Sequence, residues 1–211
     1  MIKAILFDMD GTLTDSEKYY VEGTFRWVNN YKKVPIEKVY SIVGLDMDGT
    51  YNFLSNLLDI SYDKAEELNT KYFKNNPINY NDYLFSDVKD TLKILKGRGY
   101  KLALCTVSDR YMLDNFLKQC NYENYFDCLL SSDDIKESKP SPEIYLKTLE
   151  YLNLKNDEAI VIEDSYNGIL SGKSAGIKVC ARDSSRYHVD QSMADYIFRD
   201  MHEILDLKML L

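Results

Sequence analysis

Two acids stand two residues apart directly after the first apolar run of the chain, in the pentapeptide Asp8-Met9-Asp10-Gly11-Thr12. Thr106 closes a later apolar run, Lys139 lies just ahead of Ser141-Pro142, and Glu163-Asp164 ends another run further on. Hydrolysis of a phosphate monoester needs a nucleophile, a proton donor for the leaving oxygen, and cations to offset charge on the transferring group. These residue types supply each part. A carboxylate at Asp8 can attack phosphorus if a metal lies between the two anions, and Asp8 with Asp164 offers the hard oxygen ligands that magnesium prefers. Asp10 can serve as general acid and then as general base for water. Lys139 adds a fixed positive charge, and the Thr106 hydroxyl can hydrogen-bond a phosphoryl oxygen. Gly11 lets main-chain N–H groups approach the phosphoryl group closely.

Scattered residues act together only if the fold gathers them. Residues 2–7 read as a short buried strand, broken only by Lys3 and ended by the acids. Residues 16–76 carry helical signals without a convincing strand: a long aromatic segment, a helix start at Pro35 closed by Gly44, and segments beginning near Asp48 and Ser61. From residue 86 the pattern alternates. Helices are expected over 86–98, 109–119 and 165–175, another from Ser141-Pro142-Glu143, and a final one at the end of the chain; strands are expected over 100–105, 128–131, 159–162, 177–181 and 196–198. Such alternation implies an α/β fold with a doubly wound parallel sheet covered on both faces. The helical block interrupts it as an inserted cap over 15–83, leaving 1–14 and 84–211 as the core. Open parallel sheets bind ligands beyond the carboxyl ends of their strands. Asp8 and Asp10, Thr106, Lys139 and Glu163-Asp164 all fall at such ends.

The composition is compatible with that site and with few others. With 211 residues, 45% hydrophobic, the chain can bury a real core. A net charge of −8 argues against broad nucleic-acid or anionic-membrane surfaces, so any anionic substrate must find positive charge locally. The 4 cysteines, Cys105, Cys120, Cys128 and Cys180, lack metal-binding or redox spacing and read as reduced and structural. The short N-terminal apolar run does not read as a signal peptide, no stretch is long enough to span a bilayer, and a cytoplasmic location is expected.

The ordered set Asp8-Met9-Asp10-Gly11-Thr12, Thr106, Lys139-Pro140 with Ser141-Pro142, and Glu163-Asp164-Ser165 with Asn167-Gly168 and Ala175-Gly176 resembles the haloacid dehalogenase-like superfamily. Within it, the likeness is to the phosphatase and β-phosphoglucomutase branch with a helical cap, over nearly the whole chain. The resemblance implies an aspartyl-phosphate on Asp8, acid/base catalysis by Asp10, and magnesium held by Asp8, the Asp10 main-chain carbonyl and Asp164. Glu163 would be a further ligand or a support for the others. It implies a phosphoryl site made by Asp8, Met9, Asp10, Gly11, Thr106, Val107 and Lys139. Dehalogenases and phosphonoacetaldehyde hydrolases of the superfamily lack an acid at the place of Asp10, so phosphoryl transfer is preferred. Aligned on Asp15 and Gly44, Tyr20, Val43 and Met47 stand where the resembling mutases carry His, Lys and Arg. That departure favours a phosphatase acting, as a monomer, on a small sugar, polyol or nucleotide phosphate. A mutase is the alternative, and a catalytically silent binding protein the third reading.

The same residues also admit blander readings. Asp8 and Asp10 alone suit an ordinary turn. A calcium loop counted from Asp8 fails, with Leu13 at the Gly position and Tyr19 at the Glu position. Glu163-Asp164 could merely favour the following helix N-terminus. Asp46-Met47-Asp48-Gly49-Thr50 repeats the pentapeptide but follows no strand; it reads as a helix start capped by Asp48 or Thr50. In the resembling family this loop faces the site, which makes Tyr20, Asp46 and Met47 the expected selectors of substrate. The tyrosine-rich first cap helix reads as packing.

Overall fold

The computed structural model describes residues 1–45 and 47–207, which form two compact units, Met1–Asp15 with Tyr80–Leu211 and Ser16–Asn79. The first unit is built on six strands: β1 (Ala4–Phe7), β2 (Lys101–Cys105), β3 (Cys128–Leu130), β4 (Ala159–Glu163), β5 (Lys178–Arg182) and β6 (Tyr196–Phe198). All pairings are parallel, in the order β3-β2-β1-β4-β5-β6. The order reverses at β1, so the crevice that binds ligands in such sheets opens at its carboxyl end.

All four residues of β1 are buried, as a central strand covered on both faces requires. Ala4 and Leu6 pack with Ala103, Val161 and Val179 in a cluster closed by Ile144, Tyr145 and Leu149 of α7 (Glu143–Leu152) and Ile169 of α8 (Tyr166–Ser174). Ile5 and Phe7 point the other way by strand alternation, as do Leu102, Leu104, Ile160 and Ile162. On that side α5 (Val88–Gly97) packs on β2, and α6 (Arg110–Cys120) follows it. The expected final helix is present as a short 3₁₀ helix, Met201–Asp206. Its Asp200/Glu203 capping box starts the helix, and the chain reaches extended backbone at Leu207 after about two 3₁₀ turns.

The segments where the helical insertion leaves and returns are hydrogen-bonded to each other within the first unit. Asp15 N donates to Tyr83 O at 2.7 Å, and Thr14 Oγ1 donates to the same carbonyl at 3.2 Å. The Arg182 guanidinium, buried at the end of β5, braces this junction. It donates to both Asp87 carboxylate oxygens at 3.1 Å and to Thr12 O at 2.9 Å, and lies over the Phe85 ring at 4.0 Å. A bidentate pair stacked on an aromatic face is a task suited to arginine.

The second unit comprises α1 (Ser16–Tyr31), α2 (Ile36–Val39), α3 (Met47–Leu58) and α4 (Tyr62–Asn75). Trp27, Val28, Leu54, Leu58 and Ala65 form its core, and Trp27 Nε1 donates to Asn69 Oδ1 at 3.2 Å. Tyr19 and Tyr20 pack against Phe73, so most of the aromatic stripe on α1 is packing, while Tyr31 is exposed. The repeated pentapeptide opens α3, with Met47 as its first residue. Asp48 therefore sits inside the first turn, where it accepts from Tyr62 Oη at 2.6 Å, and does not occupy the capping position. Asp46 lies outside the described residues.

Candidate active site

The sheet register delivers the acids. Phe7 is level with Leu104 and Ile162, and one residue further on Asp8 N donates to Ile162 O at 2.9 Å. Asp8 thus emerges between Cys105 and Glu163, at the switch in strand order. The Lys139 ammonium fills the space between them. It donates to Asp8 Oδ1 at 2.6 Å, Glu163 Oε1 at 2.7 Å and Cys105 O at 3.0 Å, which uses all three of its protons. The side chains of Lys139, Asp8 and Glu163 are 4%, 8% and 1% exposed, so this is an interior ion cluster with little screening by water.

A loop must hold that ammonium in place. The Glu143 carboxylate, at the start of α7, turns back to accept from Lys136 N at 3.0 Å and Glu137 N at 2.9 Å. The Lys147 ammonium and these two amides keep Glu143 ionised down to a pKa of about 2. The Lys139–Pro140 peptide bond in the same loop is cis.

Charge states follow from burial set against the neighbours. Burial works against the Lys139 ammonium, but the negative charges of Asp8 and Glu163 outweigh it and hold its pKa well above that of a free lysine. Glu163 is the mirror case: burial would raise it, and Lys139 holds it below the usual range. For Asp8, burial prevails over Lys139, and Glu163 and Asp10 add repulsion, so its carboxyl is pushed well up. Asp8, Asp10, Glu163 and Asp164 bring four carboxyl groups together, and among the described residues Lys139 is the ammonium hydrogen-bonded to them. The site is short of positive charge, and a divalent cation would supply it.

Ligand oxygens of Asp8, Glu163 and Asp164 can lie within 4.8 Å of one another, a spacing that suits one hard cation. Their other engagements differ. Glu163 Oε1 accepts from Lys139 and from Tyr145 Oη at 3.0 Å; Oε2 accepts from Asp164 N at 2.9 Å and from Ser165 N and Ser165 Oγ, each at 3.2 Å. Asp164 accepts from Thr12 Oγ1 at 3.4 Å and Ser184 Oγ at 3.2 Å.

Two glycines are explained by this crowding. A Cβ on Gly11, whose φ is +76°, would stand 2.1 Å from Asp164 Oδ2, and one on Gly168 would stand 1.8 Å from Glu163 Oε1. Both acids occupy space that only glycine leaves open.

Asp10 Oδ2 accepts from Ser108 Oγ at 2.8 Å and, more loosely, from Thr106 Oγ1 at 3.5 Å. Thr106 is fully buried and accepts from Ser108 N at 3.0 Å, whereas Val107 between them is 43% exposed. The structure thus gathers Asp8, Asp10, Thr106, Lys139, Glu163 and Asp164 at one sheet edge, with Met9 and Gly11 buried in the loop between the acids. Tyr20 and Met47 belong to the second unit. Sequence reasoning missed Ser108, Tyr145, Thr12 and Ser184. Two had a nearby signal: Thr12 closes the pentapeptide that begins at Asp8, and Ser108 is a second hydroxyl two residues after Thr106.

Comparison with known proteins agrees with this geometry. The family model for haloacid dehalogenase-like hydrolases matches residues 5–182. A phosphorylated carbohydrates phosphatase from Thermotoga maritima is 33% identical over 180 residues, covering 84% of this chain and 83% of that protein. The pyrophosphatase PpaX of Bacillus cereus is 27% identical over 213 residues, covering 98% and 96%. A crystal structure from Thermotoga maritima, provisionally assigned as a β-phosphoglucomutase, superposes with a TM-score of 0.74 at 29% identity over 97% of this chain and 98% of that one.

Proposed function

Because the chain belongs to the haloacid dehalogenase-like hydrolases, we propose that it is a magnesium-dependent phosphatase that opens small phosphate monoesters through an aspartyl-phosphate on Asp8. The observation that carries this reading is the buried Asp8 carboxylate, held by Lys139 at 2.6 Å where the strand order reverses. Asp8, the Asp10 main-chain carbonyl and Asp164 would hold the magnesium ion, which when bound offsets charge on the phosphoryl oxygens. Of the two roles open to Glu163, support fits better than ligation, because its oxygens already accept from Lys139, Tyr145, Asp164 and Ser165.

The chemistry falls to the chain's own groups. An Asp8 oxygen bonds to phosphorus as the ester P–O bond breaks, and Asp10 delivers its proton to the departing oxygen. Asp10, now a carboxylate, takes a proton from water, whose oxygen attacks phosphorus. Inorganic phosphate leaves and Asp8 is restored. Ser108 and Thr106 orient Asp10 between the two steps, Lys139 meets the charge on the transferring group, and the amides of Met9, Asp10 and Val107 supply further donors; the Gly11 N–H, expected among them, is spent on Thr14 O at 2.8 Å, which leaves Gly11 to shape the loop. Tyr20 and Met47 of the helical unit take part in selecting the ester, as does Asp46.

The mutase reading draws support from the solved structure described above, and the phosphatase reading from the 33% identical carbohydrate phosphatase. A distal phosphate needs cationic partners, and Tyr20, Val43 and Met47 provide none. Purified protein assayed on sugar, polyol and nucleotide phosphates and on pyrophosphate should release phosphate, lose the activity in excess chelator and regain it with magnesium. With β-glucose 1-phosphate, phosphate release should outpace formation of glucose 6-phosphate. Faster isomerisation would establish the mutase instead, and full activity in chelator would remove the metal from the account.

A further inference from the structure

Asp164 is gripped from behind by a segment far along the chain. Gln191, only 6% exposed, donates from Nε2 to Asp164 O at 2.6 Å and to Arg182 O at 2.7 Å, while its Oε1 accepts from Ser184 N at 3.1 Å. Ser184, 7% exposed, then places its hydroxyl on Asp164 Oδ2 at 3.2 Å. Both protons of the Gln191 amide and its oxygen are spent on the two loops that follow β4 and β5.

We propose that Gln191 and Ser184 are positioning residues for the metal, setting the peptide and the carboxylate of Asp164 so that this acid presents a fixed oxygen to a divalent cation. The inference rests on the metal site proposed above. An aspartate carboxylate turns easily, because its terminal torsion is broad and two-fold. Thr12 Oγ1 donates to the other oxygen, Oδ1, across a longer 3.4 Å, so of the two hydroxyls Ser184 makes the closer hold. The Ser184 bond occupies one oxygen and orients the other. Gln191 acts a step further back, since its hold on Ser184 N and Arg182 O sets where the Ser184 hydroxyl stands. Outer partners of this kind change metal affinity by about 10–100-fold when removed.

Manganese titration of the metal-free full chain, followed by isothermal calorimetry and by the free-ion paramagnetic signal, reads this directly. Ser184→Ala and Gln191→Ala should each weaken binding by roughly 10–100-fold, and Ser184→Thr, which keeps the hydroxyl, should bind like the parent. Turnover of both alanine variants should recover largely at saturating metal. A role confined to joining the loops would instead lower the metal-free melting temperature and leave manganese affinity within about twofold, and that result would overturn the proposal. Where Gln191→Ala does not fold, Ser184→Ala decides alone. Failure of the parent itself to bind manganese would overturn the metal site, and this assignment with it.

Discussion

Asp8→Asn should lower phosphate release by roughly 10⁴-fold or more, the scale seen when a nucleophile is removed from a catalytic set. An amide neither forms the acyl-phosphate nor ligates magnesium well, so two contributions are lost together. The fold should survive. Lys139 keeps Glu163 and the Cys105 carbonyl as partners, and the Asn oxygen can still accept from it. Burial already disfavours the charged form of Asp8 and pushes its carboxyl up, so removing that charge costs the folded chain little. Circular dichroism and the urea midpoint should match the parent while turnover collapses. Turnover within about tenfold of the parent would exclude Asp8 as the nucleophile.

The largest effect on stability is expected at Lys139. Lys139→Met keeps the length of the side chain but leaves two interior carboxylates, at 2.6 and 2.7 Å from the former ammonium, without their counter-charge. Breaking such a cluster by deleting one partner costs about 3–5 kcal/mol. Acidity fixes the sign of a further test. In the parent, Lys139 holds the Glu163 pKa down, so this contribution is complete above the ordinary carboxylate range and fades as pH falls through the lowered value. In the variant the deserted acid titrates higher, and protonation relieves the strain on acidification. The stability difference between parent and variant should therefore be widest near neutral pH, begin to narrow above about pH 4.3, the unperturbed value for glutamate, as the variant's acid takes up its proton, and narrow further below it as the parent loses its own contribution. Urea unfolding at a series of pH values measures it; a difference independent of pH would mean the cluster is not electrostatic. Double substitution with Glu163→Gln should recover part of the loss.

The sequence carried the parts of this account that depend on neighbouring residues. The buried run of β1 ended by Asp8, the alternation after residue 86 and the acids closing β4 are short-range patterns; the alternation folds as the parallel sheet, and both sets of acids stand at its carboxyl edge. The glycines at 11 and 168 were visible as letters, but the reason for them, acids standing where a Cβ would go, exists only in three dimensions. Among the donors to Glu163 and Asp164, Tyr145, Ser184 and Gln191 lie 18 to 27 residues away, and no local spacing announces them. Asp48 and Thr50, the expected caps, both fall inside α3, which starts at Met47, because such residues suit a cap and Asp48 suits a first helical turn equally well. The expected final helix is of the 3₁₀ type and short, because its capping signal fixes a start and says nothing about helix type or length.

The claim on which everything else depends is that phosphate passes through the Asp8 side chain. Asp10→Asn should hydrolyse an acyl-phosphate slowly, because water lacks its base, yet should still form one from acetyl phosphate, whose leaving group needs no proton. Quenching that variant with acid during turnover of acetyl phosphate, reducing with borohydride and mapping the peptides by mass spectrometry tests the claim directly. Homoserine at position 8 is the predicted product. Phosphate released with Asp8 unconverted, or conversion at another carboxylate, would contradict it.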